Sequence, residues 1–402
     1  MAFLCNNLLF LVSQKIIKQK NWQFLFGITF LAFISTSCLP FSYNVRVLLD
    51  ECKINQQKTW RVESKEGFLC FDMKNPKQKS LIKEQATDII IKNNQAYING
   101  RRCLADFLKI IPQNKEVAFC THRFEGCLLL VHKHNKWHLI NQLDIEDYLY
   151  AVLRWESWPG WPVEVNKAFA IACRSYVISR IITAEKRKRV FHIRRTNIHQ
   201  TYNGLHSLDY LRQAVEQTRG IILTHNNKPI DAMFDVCCGG VIPSLMTGVN
   251  FERAPYLSRS YACNYCKPCK SYSYTHVFTC DQLEPLLLKQ LPHIRKLREL
   301  KVLEKDAAGI VQKISVQGTG GSSILTGKQF YSFIEKIKSF SFSILKKGQQ
   351  FYIQGKGFGH HLGICQWGAR AMVEQGRSYL NILQFYYPGA VIKQLYAKRE
   401  GV

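Results

Sequence analysis

Glu156 is the residue best placed for acid chemistry in this sequence. It lies between Trp155 and Trp158, at the predicted end of a helix and two residues before a Trp-Pro-Gly-Trp-Pro turn. Burial against indole disfavours an ionised carboxylate, and so does the negative end of a helix dipole. Both effects raise the pKa, which a general acid working near neutrality requires. Taken alone, a glutamate on a solvated helix end is the other reading. Glu146 and Glu164 read as first-turn helix residues, where a negative charge meets the positive dipole end.

A second chemical grouping spans residues 355–376, GKGFGHHLGICQWGARAMVEQG. Glycine permits positive φ and close backbone approach. His360, His361, Gln366 and Trp367 add donors, acceptors and a flat apolar face. The mixture suits a polyhydroxylated ligand; a tight turn before a helix is the alternative. Nucleotide loops do not fit. The dinucleotide fingerprint needs glycine at its first, third and sixth positions. Counting from Gly355 the sixth is His360, and from Gly357 it is Leu362. In residues 321–328, GSSILTGK, Ser322 stands where a phosphate loop needs its first glycine, and Gln329 replaces the Ser or Thr.

The chain has 15 cysteines, an odd number. Cys263, Cys266 and Cys269 form CNYCKPC, and Cys237 and Cys238 are adjacent. Thiolates at that spacing can face one structural zinc, with Cys280 or Cys238 as fourth ligand. Disulfides in an oxidising compartment are the competing reading.

These groups need elements to position them. Asp144 can cap a helix running to Trp155 or Glu156, with Ile145, Tyr148, Leu149 and Val152 on one face. Residues 157–162, SWPGWP, break it, and Pro162 opens a long helix to about Lys186. A further helix is expected at 208–218, ended by Gly220, and strands at 221–224 and 229–234. Upstream, 44–49, 67–71, 88–91, 124–132 and 137–140 read as strands, the last two as a hairpin. Downstream, 300–360 is strand-rich with a helix at 327–338, followed by helices at 364–374 and 378–386. The fold class is α+β, with strand-rich N-terminal and C-terminal segments around a central helical catalytic segment. Three regions follow: 1–42, 43–130 and 131–397.

Residues 1–42 read as a signal peptide or an N-terminal membrane anchor. Lys15, Lys18 and Lys20 precede an apolar run from Trp22 to Ile34, then small residues and Cys38. Cleavage, lipidation at Cys38 and retention as an anchor are all open, and each implies export to the periplasm or envelope. The net charge of +26 favours polyanionic partners. No zinc-finger spacing or RNA-binding sheet signature accompanies it, so nucleic acid is not an expected partner.

The stretch 143–180, LDIEDYLYAVLRWESWPGWPVEVNKAFAIACRSYVISR, resembles the SpoIID/LytB family signature. Lys167, Ala168, Ala170, Ala172, Arg174, Ser175 and Tyr176 supply its Lys-Ala…Arg-Ser-Tyr pattern. Gln200, Tyr202 and Gly204 match its Gln-x-Tyr-x-Gly motif, and Gly239-Gly240 its Gly-Gly. Residues 355–369 resemble its Gly-His-rich, Gln-Trp-Gly-Ala segment, and Tyr386-Tyr387-Pro388-Gly389 its ending. The likeness spans about residues 120 to 395 in the family's order.

The resemblance implies action on peptidoglycan glycan strands, with an amidase as a possible cell-wall partner. SpoIID-type members are lytic transglycosylases, preferring strands stripped of stem peptides and leaving 1,6-anhydro sugars. Their catalytic glutamate falls on Glu156. One carboxyl serves twice in that chemistry, and no cofactor is required. Arg174, Tyr176, Gln200, Tyr202, Gly239, Gly240, His360, His361, Gln366 and Trp367 are then expected to bind or shape the substrate site. A glycan-binding modulator of an amidase, without its own chemistry, is the alternative. Some relatives bind zinc through His and Cys just before Gln-x-Tyr-x-Gly. Here His192 and His199 remain, but no cysteine lies between 174 and 236.

Overall fold

Alternating burial governs the first strands, as in Ala86–Lys92 and Phe107–Pro112, where every second residue is buried. The computed structural model describes residues 43–396 apart from Pro76 and Gln78. The expected signal or anchor at 1–42 lies outside the described residues. Among the described residues, no helix is long and apolar enough to cross a membrane.

Two sheets form from the N-terminal strands. The larger orders strands 193–194, 44–53, 136–144, 127–133, 107–112, 68–72 and 79–82. The smaller orders 122–125, 116–119, 58–63, 86–92, 95–98 and 101–102. The expected strand 124–132 is two strands, because the chain changes sheets at Gly126. His122–Glu125 pairs within the smaller sheet and Cys127–Lys133 within the larger.

Seven α-helices follow among the described residues. They are α1 (Ile145–Glu156), α2 (Val163–Lys186), α3 (Asp209–Gln217), α4 (Cys280–Leu288), α5 (Gly327–Phe333), α6 (Gln366–Glu374) and α7 (Tyr379–Tyr386). Asp144 caps α1 by accepting from the Glu146 amide at 2.8 Å. Thr279 with Gln282, and Thr326 with Gln329, form capping boxes on α4 and α5. Helix α4 was not expected. Helix α5 ends at Phe333 rather than 338, because Ile334 turns to extended backbone and is buried. Helix α6 starts two residues late, since Ile364–Cys365 pairs in parallel with Phe234–Asp235. The expected strand 229–234 survives only at its ends, Lys228–Pro229 and Phe234–Asp235. Between them, Asp231 accepts from Ser179 on α2 at 2.6 Å, which takes that stretch to the helix instead of to a ladder.

The architecture is α+β, as the periodicities imply. Its main core joins both N-terminal sheets to the central and C-terminal helices, through residues such as Val47, Trp60, Leu149, Phe169 and Leu383. A separate core, including Phe278, Leu283, Ile314, Phe330 and Phe351, fills a unit of two three-stranded sheets with α4 and α5. Its first strand, Ser273–Thr279, pairs with its last, Gln350–Lys356, so that Ser273 sits opposite Lys356.

Candidate active site

Helix α1 ends on Glu156, and the cap at Ser157 leads straight into the Trp-Pro turn. One carboxylate oxygen, Oε1, accepts from the Thr201 amide at 2.5 Å. Gln366, the first residue of α6, donates through Nε2 to the Glu156 carbonyl at 2.9 Å. Its Oε1 accepts from Trp158 Nε1, also at 2.9 Å. Gln366 therefore ties the end of α1, the Trp-Pro turn and the C-terminal motif together.

Three indoles make the adjacent wall. The Trp158 and Trp161 rings lie 6.1 Å apart, Trp158 and Trp367 6.2 Å, and Trp161 and Trp367 5.3 Å. The Arg370 guanidinium sits 5.4 Å from the Trp367 ring and 5.6 Å from Trp161. Trp158 remains 44% exposed and Trp155 48%, so apolar ring faces meet solvent beside the acid. Exposed indoles of this kind offer flat stacking surfaces to a partner.

Burial pushes the Glu156 carboxyl above its ordinary value, and hydrogen bonds from Thr201 pull it only partly back. No charged neighbour adds to the shift. Burial therefore dominates, in the direction that the sequence predicts.

The Gln-x-Tyr-x-Gly motif delivers Thr201. Gln200 accepts from the Tyr148 hydroxyl at 2.8 Å, and Tyr202 donates to Asn141 Oδ1 at 2.6 Å. The Tyr202 ring packs 5.4 Å from both Phe124 and Tyr148. Gly204 adopts φ of +79°, and a Cβ there would lie 2.1 Å from the Arg123 carbonyl oxygen. Both side chains at 200 and 202 are buried. They anchor the loop and do not face a ligand, contrary to the substrate-contact role expected of them. Thr201 itself was missed: its contribution is a backbone N–H, and the only sequence cue is its place between two anchoring residues.

Arg174 also departs from expectation. It is fully buried and makes a bidentate pair with Glu146 at 3.0 and 2.6 Å, with further bonds to the Ile221 and Val215 carbonyls. It clamps α1 to α2 and has no access to a substrate. Glu146, read as a first-turn residue that favours the helix dipole, does lie in the first turn of α1, and is besides the buried partner of Arg174 and accepts from the Gly220 amide at 3.3 Å. Tyr176 is half-buried on α2, with the Arg180 guanidinium 5.0 Å from its ring. Burial is the main influence raising its phenol, and the Glu156 charge adds to it.

The Gly-His segment divides. His361 is buried, its amide donating to Asp235 at 2.7 Å and its Nδ1 2.9 Å from the Cys238 carbonyl. His360 is held at about 4 by burial, so it is neutral near pH 7, and its Nδ1 accepts from the Leu362 amide at 3.1 Å. Neither is hydrogen-bonded to Glu156, whereas Gln366 is, at its backbone. Gly239 and Gly240 line a different cleft of about 370 Å³ with Tyr272, Lys305, Gln354 and Lys356, and Glu156 is not part of its lining. Asp235, which the sequence did not single out, is fully buried, and burial holds its carboxyl well above the usual range.

The expected cysteine trio is only partly assembled. Cys263 and Cys266 come together with Cys238 and Cys365. Cys269 falls outside that group because one further turn, closed by its amide bond to the Cys266 carbonyl, separates them. Its sulfur accepts from the Ser271 amide. His192 and His199 do not fit a second metal. The ring nitrogens of His192 are engaged by Arg46 and Glu185, and His199 Nδ1 accepts from the Arg194 amide.

The family model described as Stage II sporulation protein (SpoIID) matches residues 133–225, which hold Glu156 and Thr201. A second, described as a domain of unknown function (DUF8618), matches residues 253–363. An uncharacterized protein of Brachyspira hyodysenteriae is 30% identical over 275 residues, covering 67% of this chain and 72% of its own. Stage II sporulation protein D of Bacillus amyloliquefaciens is 26% identical over 275 residues, covering 64% and 76% respectively. The amidase enhancer of Bacillus subtilis is 25% identical over 296 residues, covering 61% of this chain and 40% of its own. With its motifs in family order, the SpoIID model matched and these relatives aligned over 61 to 67% of its length, the chain belongs to the SpoIID/LytB family.

Proposed function

We propose that this protein is a peptidoglycan lytic transglycosylase with Glu156 as its general acid and then general base. Family membership supports a cell-wall role. The observation that carries the finer reading is a desolvated carboxyl, held by the Thr201 amide beside the half-exposed rings of Trp155 and Trp158. In the first step Glu156 gives its proton to the O4 leaving group as the bond from C1 to O4 breaks. In the second it takes the proton of the C6 hydroxyl as that oxygen bonds C1. The product is a 1,6-anhydro sugar, and no water is consumed. Hydrolytic glycosidases use a second carboxylate to activate water or attack the sugar.

Digestion of amidase-treated, denuded glycan strands, read by mass spectrometry, tests this. Anhydro-terminated fragments are expected from the wild type, falling at least a hundredfold in Glu156→Gln. No anhydro product from wild type would refute the activity. Equal cutting by the variant would refute the residue assignment. The likeness to an amidase enhancer favours a second reading, in which the same cleft binds glycan and stimulates an amidase without cutting. Stimulation of an amidase by Glu156→Gln as strong as by wild type, with no turnover by either, would support that reading.

A further inference from the structure

Four thiols from three separate stretches converge behind the C-terminal motif. Cys238 immediately precedes Gly239-Gly240, Cys263 and Cys266 share one turn, and Cys365 is the N-cap of α6. All four are buried, and their sulfurs lie within 4.8 Å of one another. Cys238 Sγ and Cys266 Sγ are 3.7 Å apart. Four sulfurs placed tetrahedrally about 2.3 Å from one zinc ion lie about 3.8 Å from each other. A disulfide instead requires about 2.05 Å.

The surroundings treat these sulfurs as acceptors. The backbone amides of Cys238 and Gly368 both donate to Cys365 Sγ at 3.3 Å. The Tyr386 hydroxyl lies 3.1 Å from Cys263 Sγ. Such outer donors stabilise metal-bound thiolates and fix their orientation. Gly368 leaves the room this needs, since a Cβ there would meet Tyr386 Oη at 2.0 Å and the Cys263 and Cys365 sulfurs at 3.0 and 3.3 Å. The buried Arg259 guanidinium lies 5.9 Å from the Tyr386 ring and places a positive charge on that side.

We propose that Cys238, Cys263, Cys266 and Cys365 bind one zinc ion in a closed, four-thiolate structural site. Binding displaces the thiol protons to solvent, and the filled coordination sphere leaves no position for substrate. The ion staples the turn before Gly239, the 263–266 loop and the start of α6. Through Cys365 it fixes Gln366, and through Gln366 the backbone of Glu156. It is therefore a positioning element for the acid, without a chemical step of its own.

The test uses the full chain, purified without chelator, with metal measured by mass spectrometry and thiols titrated after denaturation. About one zinc per chain is expected in wild type and in Cys269→Ser, and less than a tenth of that in Cys263→Ser and Cys365→Ser. A metal-free wild type whose titratable thiols are fewer by two or four would establish disulfides and overturn the site. Zinc retained in full by Cys365→Ser would overturn the ligand set. Should those variants fail to fold, cobalt exchanged into wild type gives a second measure. Strong thiolate-to-cobalt charge-transfer bands with a tetrahedral ligand-field pattern support four sulfurs; weak octahedral bands refute them.

Discussion

Two opposed influences meet on Glu156, with burial raising its pKa and Thr201 lowering it. Burial wins, so the native protein holds this proton more tightly than the unfolded chain does. Stability from the group is then complete below its ordinary value of 4.5 and is lost as pH rises through the higher native pKa. Glu156→Gln, neutral throughout, is expected to melt higher than wild type near neutrality, by on the order of 1 kcal/mol. The two should melt together below the ordinary carboxylate range. Thermal melts at both pH values check this, and coincident curves at neutrality would count against a desolvated carboxyl. Glycan cleavage, if it needs the protonated acid, should fall on the same alkaline limb. The direction of the Glu156 shift was legible because its cue is local: a helix end with tryptophans on either side. Thr201 was not, because an amide donor has no residue type to read. Arg174 was misread because its partner Glu146 lies 28 residues earlier, and only tertiary packing brings the two together.

At the scale of elements, the Arg174–Glu146 pair is what sets α1 against α2. A buried ion pair adds little net stability, but removing one partner strands a charge, at about 3–5 kcal/mol. Arg174→Met should lose that much in urea denaturation, and Glu146→Gln with Arg174→Met markedly less. Loss of glycan turnover in the single variant without loss of stability would instead point to substrate contact. The long helices were readable from capping and periodicity, since Asp144 and Pro162 act within one turn. The strands were less so. At Gly126 two local hairpins, 116–125 and 127–142, belong to different sheets, which alternation alone does not show, and the pairing of 364–365 with 234–235 depends on a strand far away in sequence. Cys365 escaped notice for the same reason: its thiol partners lie about a hundred residues upstream.

For the whole molecule, the charge of +26 predicts a salt-dependent encounter with anionic wall polymer. Sedimentation with purified sacculi should weaken several-fold between low and physiological ionic strength, while binding to neutral chitin-type oligomers changes little. That expectation rests on composition alone, which names no binding face. The separate core of residues 274–353 has another meaning once its geometry is considered. Ser273 and Lys356 sit opposite each other in one ladder, so the chain leaves and re-enters the main body at nearly the same point. Such a segment is topologically an insertion, and natural insertions with touching ends vary in length and content without disturbing their host. Replacing 274–355 with a tight turn should therefore leave a cooperative thermal transition in the remainder. Native-state hydrogen exchange on the intact protein should resolve two protection classes that divide at those two residues. The acid-bearing body and this segment are thus two cores on one chain, joined where Ser273 meets Lys356, and a change confined to one is expected to leave Glu156 in place.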